Sequence, residues 1–460
     1  MKISYPKVLI IGETFRYNGG GGITLINLFK DWDPACVAVV TEKINETSFQ
    51  TGCEKFYQLG NMEIKIPFPF NFINKIQTSG DFHIKEPSLT ALPSSSSNSS
   101  KNALQKLKFF LEISYYKILI LLGVYNSSYR IVVSDKLLKW IDEYSPDIIY
   151  AQPFKFCDMI FASELKEKTG IPLAIHIMDD SVNILNKPNL FYSYWKKKIK
   201  NSFELLVERT DIRLSISESM SEEYLKRYNR SFIPFRNPVE IGSWEPFIKK
   251  NWTLNDEVNI VYTGRLAVPN INSLLTFCQV IDELNTIGYR INLNIYSIET
   301  NSFFLAKIKN LKSIFIHKAV EFSQIPALIT KFDFAFLPID FTPKGFKYAQ
   351  FSVSTKTSEY MISGVPILLF APGNIALTEY ARKNKCMFIV SENDKDRLSE
   401  AMIRLIKDIN LRATLAKKAI EVAKSDSDAT MVRKKFREVL NRSSVKITDG
   451  SESMKNNSIK

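Results

Sequence analysis

A chain of 460 residues exceeds what one hydrophobic core organises, since single cores stop growing near ~250–300 residues, so two domains are expected. Hydrophobic residues make up 45% and charged residues 24%, a globular balance that excludes a fibrous or disordered chain. Lysine and arginine (61) outnumber aspartate and glutamate (48), and the formal charge of +13 suits an anionic partner: a nucleotide diphosphate, anionic lipid or nucleic acid.

No zinc-finger spacing, RNP-like strand or basic heptad region occurs, so the expected partners do not include nucleic acid. The start, MKISYPKVLIIGE, is too short an apolar run for a signal peptide, so a cytoplasmic location is expected. Its five cysteines (Cys36, Cys53, Cys157, Cys278, Cys386) are scattered, lack CxxC spacing and read as reduced core thiols.

Along the chain, apolar strands alternate with amphipathic helices, the pattern of parallel sheets covered on both faces and hence of an α/β fold. Strands are predicted at 7–12, 37–41, 147–151, 172–178 and 212–217, with helices at 135–144 and 156–169. The serine-rich stretch SSSSNSS marks a mobile insert at about 86–103. The apolar run 107–125 follows it, and Glu112 and Lys117 interrupt it too often for a spanning helix. It reads as a buried or interfacial helix, with docking on a membrane surface as the alternative because Lys101, Lys106 and Lys108 flank it. Polar residues after Asn237-Pro238 place a domain junction there and set the first domain at 1–240. Strands at 258–263, 291–297, 313–317, 332–338, 366–370 and 387–390 then make a second domain, 241–427. A helix at 428–442 is expected to rejoin the first domain, and the polar residues 443–460 are expected to be disordered.

Four motifs carry chemistry. The run Gly19-Gly20-Gly21-Gly22 precedes a helix, where bare backbone N–H groups attract phosphate or sugar oxygens; a ligand-free turn is the competing reading, and the spacing is not GxGxxG. In IHIMDD, Asp179 and Asp180 follow a strand end, where ligands of open α/β sheets lie, and could bind an acceptor hydroxyl or take its proton; His176 reads as a core histidine. In YTGRL, Gly264 and Arg265 follow the first strand of the second domain, and a guanidinium there suits a diphosphate; a surface arginine after a turn is the alternative. In FSVSTKTSEYMISGVPILLF, the hydroxyl residues Ser352, Ser354 and Thr355 precede a helix carrying Lys356 and Glu359. N–H groups, hydroxyls and an ammonium thereby converge for a diphosphate and a carboxylate for a ribose, although a capped helix with an i,i+3 ion pair has the same sequence. The DxD forms at Asp31 and Asp426 do not follow strands, His83 and His317 are isolated, and neither a metal nor another cofactor is expected.

Taken together, the Gly-rich first loop, SPDIIYAQ, IHIMDD, LSISESMSEEY, RNPVE, YTGRL, DFAFLP and STKTSEYMISGVPIL resemble the retaining GT-B glycosyltransferases, especially the large group 4 that builds capsular, O-antigen and other cell-surface polysaccharides. The resemblance spans nearly the whole chain and implies two Rossmann-like doubly wound domains facing each other across a cleft, working without a metal. It implies a nucleotide-sugar donor, a glycan or lipid-linked acceptor and a cytoplasmic enzyme, peripheral on the inner face of a membrane in one form of the reading. By resemblance, Arg265 binds the donor diphosphate, Glu359 the ribose, Gly20 and Gly21 face sugar and phosphates, and Ser354, Thr355 and Lys356 meet phosphate. Two positions depart from the family pattern: Asn270 stands where a lysine is usual, and Phe351 where the first glutamate of an E-x7-E pair falls. Cationic help to the leaving group then falls to Arg265 with Lys356. The same fold also admits a sugar-nucleotide epimerase or a non-catalytic relative that binds glycan or a partner.

Overall fold

The computed structural model describes residues 5–16, 19–42, 53–67, 76–82, 114–115, 117–127, 129–185, 188–298 and 301–455, the last thirteen by backbone alone. The expected insert at 86–103 and most of the start of the 107–125 run lie outside the described residues. Two compact units emerge: one of Met1–Leu214, Tyr228–Arg230 and Arg437–Lys460, the other of Ser215–Arg227 and Ser231–Phe436. The second unit thus starts upstream of the expected junction at 240. The helix Ala429–Lys455 passes the residue 442 at which the sequence reading ends it, continuing through residues expected to be disordered.

Strands follow in chain order as β1 (Val8–Ile11), β2 (Val37–Thr41), β3 (Lys55–Gln58), β4 (Ile64–Lys65), β5 (Gly80–Phe82), β6 (Arg130–Ile131), β7 (Ile148–Ala151), β8 (Leu173–Ile177), β9 (Ile212–Ser215) and β10 (Ile233–Pro234). The rest are β11 (Val258–Thr263), β12 (Ile291–Ser297), β13 (Ile314–Lys318), β14 (Phe334–Pro338), β15 (Ile367–Phe370) and β16 (Phe388–Val390). In the first unit the order β9-β8-β7-β1-β2-β3-β5 places β1 between β2 and β7, parallel to both. The chain winds outward from β1 through β2 to β3, then returns to β7 and winds the other way. Strands β3 and β5, which the sequence reading did not predict, extend one side, with β5 antiparallel to β3.

The second sheet, β13-β12-β11-β14-β15-β16, is parallel throughout and repeats this winding around β11. Its central strands β11, β14 and β15 are buried on both faces. Ile260, Tyr262, Phe334, Phe336, Leu368 and Phe370 pack on one face with Leu274, Phe277 and Ile281 of the helix Ile271–Thr286. Val261, Ala335, Leu337, Ile367 and Leu369 pack on the other with Tyr360, Met361 and Ile362 of the helix Lys356–Ser363. Each large apolar side chain so buried contributes about 1.5–3 kcal/mol, which is why near-continuous apolar strands fold here and nowhere more exposed. All five cysteines are free thiols, and four are buried.

Candidate functional site

In an open parallel sheet the strand order reverses at one point, and the helices leaving in opposite directions open a crevice outside the carboxyl ends of the two strands there. In the second unit those strands are β11 and β14. The residues that leave them are Gly264 and Arg265 after β11, and Ile339 and Asp340 after β14. Topology alone therefore puts YTGRL at the switch point.

Asp340 is fully buried and prepares this end of the sheet. Its Oδ1 accepts the Ser273 backbone N–H at 2.8 Å and its Oδ2 the Asn272 side-chain amide at 2.9 Å, so a carboxylate anchors the N-terminus of the helix Ile271–Thr286. Desolvation raises its pKa, and the donors from Ser273 and Asn272 oppose that. Asp340 lies two residues beyond the motif DFAFLP, and a lone carboxylate just past an apolar strand is its only sequence signal.

The helix Lys356–Ser363 brings its first turn to the same place. The Tyr360 hydroxyl accepts the Thr263 backbone N–H at 2.8 Å, tying the helix to the end of β11. Lys356 extends back toward the strand, with its Nζ 3.4 Å from the Tyr262 hydroxyl and 4.7 Å from that ring's centroid. The Tyr262 hydroxyl donates in turn to the Arg265 carbonyl at 2.8 Å. Gly264 has φ +140, and a Cβ there would sit 2.1 Å from Lys356 Nζ, so the ammonium occupies the space that the missing side chain leaves. Glycine is required twice over, by conformation and by the approach of the lysine.

Electrostatics link the three charged residues of the motifs. Burial lowers Lys356 to about 8; Glu359 opposes this and Arg265 adds to it. Burial likewise raises Glu359 to about 7, with Lys356 opposing. Both residues keep some exposure. Lys356 turns to Tyr262 and Gly264 instead of closing an ion pair along its helix. Among the described residues, none donates a hydrogen bond to the Glu359 carboxylate. Arg265 is exposed beside Gly264. Thr355 caps the helix without a side-chain hydrogen bond, and the Ser354 carbonyl accepts Thr357 N–H at 2.9 Å.

The two departures from the family pattern have structural explanations. Asn270 precedes the helix Ile271–Thr286 and its side-chain oxygen accepts from Ala267 N–H at 3.4 Å. Phe351 is buried, its ring 5.2 Å below the Arg227 guanidinium and its carbonyl accepting from Ser217 Oγ at 2.6 Å.

In the first unit, Gly20 and Gly21 open the helix Gly20–Phe29, and Gly19 caps it with extended backbone and no side-chain bond. A Cβ on Gly21 would lie 2.7 Å from Glu13 Oε2 and 2.8 Å from Gln152 Oε1, so neighbouring polar groups already account for that glycine. Asp180 is buried and accepts from Asn183 Nδ2 at 2.6 Å, starting the helix Ser181–Leu185; Asp179 is partly buried beside it. His176 is a core residue whose Nδ1 lies 2.7 Å from the Tyr150 hydroxyl. A cavity of about 310 Å³ opens at the ends of β1, β2 and β7; Lys155 and Glu42, paired at 2.9 Å, line it with Asp158, whose carboxyl burial pushes up to about 6. Neither Asp179, Asp180, Gly20 nor Gly21 lines that cavity.

Residues 257–408, which include Arg265, Lys356 and Glu359, match the family model described as "Glycosyl transferases group 1". No curated protein matches the chain. Among solved structures, it is similar to Anabaena Alr3699/HepE in complex with UDP and glucose, at 12% identity and TM-score 0.61 over 95% of this chain and 100% of that one. The sucrose-phosphate synthase of Thermosynechococcus elongatus matches at 12% identity and TM-score 0.59, over 95% and 99% of the two chains. A glycosyltransferase from Rickettsia africae matches at 12% and 0.58, over 95% and 97%. At such identities the likeness is one of fold: two α/β units with Rossmann-like parallel sheets, as in GT-B glycosyltransferases.

Proposed function

We propose that this protein is a glycosyltransferase that moves a hexosyl unit from a nucleotide-diphosphate sugar to a glycan or lipid-linked acceptor, with retention and without a metal, in the synthesis of cell-surface polysaccharide. The observation that carries the donor part is the placement of the Lys356 ammonium against Gly264 at the switch point of the second sheet, with Arg265 and Glu359 as its charged neighbours. The match of residues 257–408 to a glycosyltransferase family supports the same reading. So does the ligand class in the Anabaena structure, UDP and glucose. Retention, the hexosyl unit, the acceptor, the polysaccharide setting and the cytoplasmic location rest on the resemblance of the motifs.

The hard step is departure of the nucleotide diphosphate, whose developing charge needs fixed positive groups. Lys356 and Arg265 supply two, and the N-terminus of the helix Lys356–Ser363 adds its free N–H groups. Glu359, short of donors and pushed up in pKa, suits a neutral pair of hydroxyls such as a ribose offers. Those hydroxyls would restore its ionised form by hydrogen bonding.

Calorimetry with UDP, GDP and their sugars tests this reading, followed by mass-spectrometric detection of free nucleotide diphosphate. Binding that Arg265→Ala and Glu359→Ala each abolish is the expected result. No nucleotide binding at all favours a non-catalytic relative, and conversion of the donor without an acceptor favours an epimerase.

A further inference from the structure

The first unit exposes large apolar side chains on two neighbouring segments. Leu121 is 60% exposed, with Ile118 and Leu122 beside it; Leu190 is 71% exposed, with Phe191 and Tyr194 following. The Leu190 N–H donates to the Leu121 carbonyl at 3.1 Å, and the Trp195 indole N–H donates to the Gly123 carbonyl, so the segments form one surface. Trp195 itself is buried, edge-on to Phe156 with centroids 5.6 Å apart and in one cluster with Ile199. The patch is therefore fixed from beneath, and its outer side chains are held in water, which is unfavourable for each large one left unburied.

Lysines adjoin it. Residues 188–203 hold Lys196, Lys197, Lys198 and Lys200 and no carboxylate, and Lys117 lies on the other segment; all five are exposed. Lys198 Nζ lies 5.2 Å from the Trp195 ring and 5.3 Å from the Tyr194 ring, and donates to the Tyr194 hydroxyl at 3.1 Å, its stem along the aromatics and its charge at their outer end. That is how lysine sits at a boundary between apolar and aqueous phases. Protein interfaces are depleted in lysine, whereas an anionic leaflet attracts it by about 1 kcal/mol per residue. Exposed leucines with tyrosine and a border dominated by lysine, with Glu204 paired to Lys200 at 3.6 Å, match a bilayer surface.

We infer that this face docks the protein on an anionic lipid bilayer, Leu121, Leu190 and Phe191 entering the headgroup boundary and Lys196 and Lys197 pairing with lipid phosphates. Among the described residues no helix is long and apolar enough to cross a membrane, so attachment is to the surface. The inference does not rest on donor binding, and its test uses no nucleotide.

The full chain is sedimented with vesicles of phosphatidylcholine alone and of phosphatidylcholine mixed with phosphatidylglycerol. The wild type should partition onto the mixed vesicles and weakly onto the neutral ones. Lys196→Ala with Lys197→Ala should lower that partition about 30-fold, as about 1 kcal/mol per lysine requires. Leu190→Ser with Phe191→Ser should lower it at least about tenfold. Wild type that stays in the supernatant with anionic vesicles overturns the inference, as does unchanged partition of either variant. Sedimentation velocity adds a third refuting result: a wild-type dimer that the Leu190→Ser and Phe191→Ser changes split, which would assign the face to a second copy.

Discussion

Replacing Gly264 by alanine tests the donor site at its most constrained atom. The new Cβ would lie 2.1 Å from Lys356 Nζ and 2.4 Å from its Cε, against a relaxed separation of about 3.5 Å, so the ammonium must retreat by roughly 1.4 Å. The lysine end is flexible and can move, which makes the crowding cheap for folding. The backbone at φ +140 adds strain of about 1–3 kcal/mol. Gly288→Ala is the matched control, because Gly288 has φ +102 with nothing within 4 Å of its missing Cβ. Both variants should lose comparable stability in urea. Only Gly264→Ala should lose function, since a displacement on the order of 1 Å costs about 100-fold in a site where charge must meet the leaving group. Release of free nucleotide diphosphate and calorimetric UDP affinity are the readouts. If Gly264→Ala binds UDP as wild type does, Lys356 does not contact the diphosphate and the proposed role of this switch point is wrong.

Lys356→Met should weaken UDP binding by about 1.5–3 kcal/mol, the value of a hydrogen bond to a charged group, and calorimetry at fixed pH measures it. UDP affinity of the wild type should fall about tenfold from pH 7 to pH 9, because Lys356, at about 8 in the free protein, must be protonated to meet the diphosphate; Lys356→Met should lack this slope. For Glu359, about 7 in the fold against 4.5 ordinarily, the folded state binds more protons, so its contribution to stability should decline as pH rises from 4.5 to 7 and vanish in Glu359→Gln, as urea midpoints across that range would record. Asp340→Ala strands the buried Ser273 N–H and should cost about 1–3 kcal/mol, read from the same denaturation midpoints.

The strands rich in Val, Ile and Leu were legible because both-face burial writes itself as an uninterrupted apolar run; β1 and β15 are examples. Strands β3 (KFYQ) and β5 (GDF) were not, since each is short, β5 is polar, and both exist through pairing with a neighbour rather than through their own pattern. The assignment of Ser215–Arg227 to the second unit was equally hidden, because it rests on contacts such as Ser217 Oγ to the Phe351 carbonyl, 134 residues away. At the site, Gly264, Arg265, Lys356 and Glu359 stood out as residue types. What could not be read was direction: whether Lys356 turns along its helix to Glu359 or across to Tyr262. The tyrosine hydroxyls at 262 and 360 decide that, and hydroxyls at strand and helix interiors look like ordinary core residues in a sequence.

The bond between Tyr360 and the Thr263 amide bears on what a ligand would encounter. Because strand end and helix start are clasped through that phenol, Lys356 projects from a single stiff block, and the entropy of fixing its root is lost when the chain folds rather than when a nucleotide arrives. Affinity for an anion at this spot should therefore show little dependence on mobility nearby, and loosening the clasp with Tyr360→Phe should slow capture less than it hastens escape.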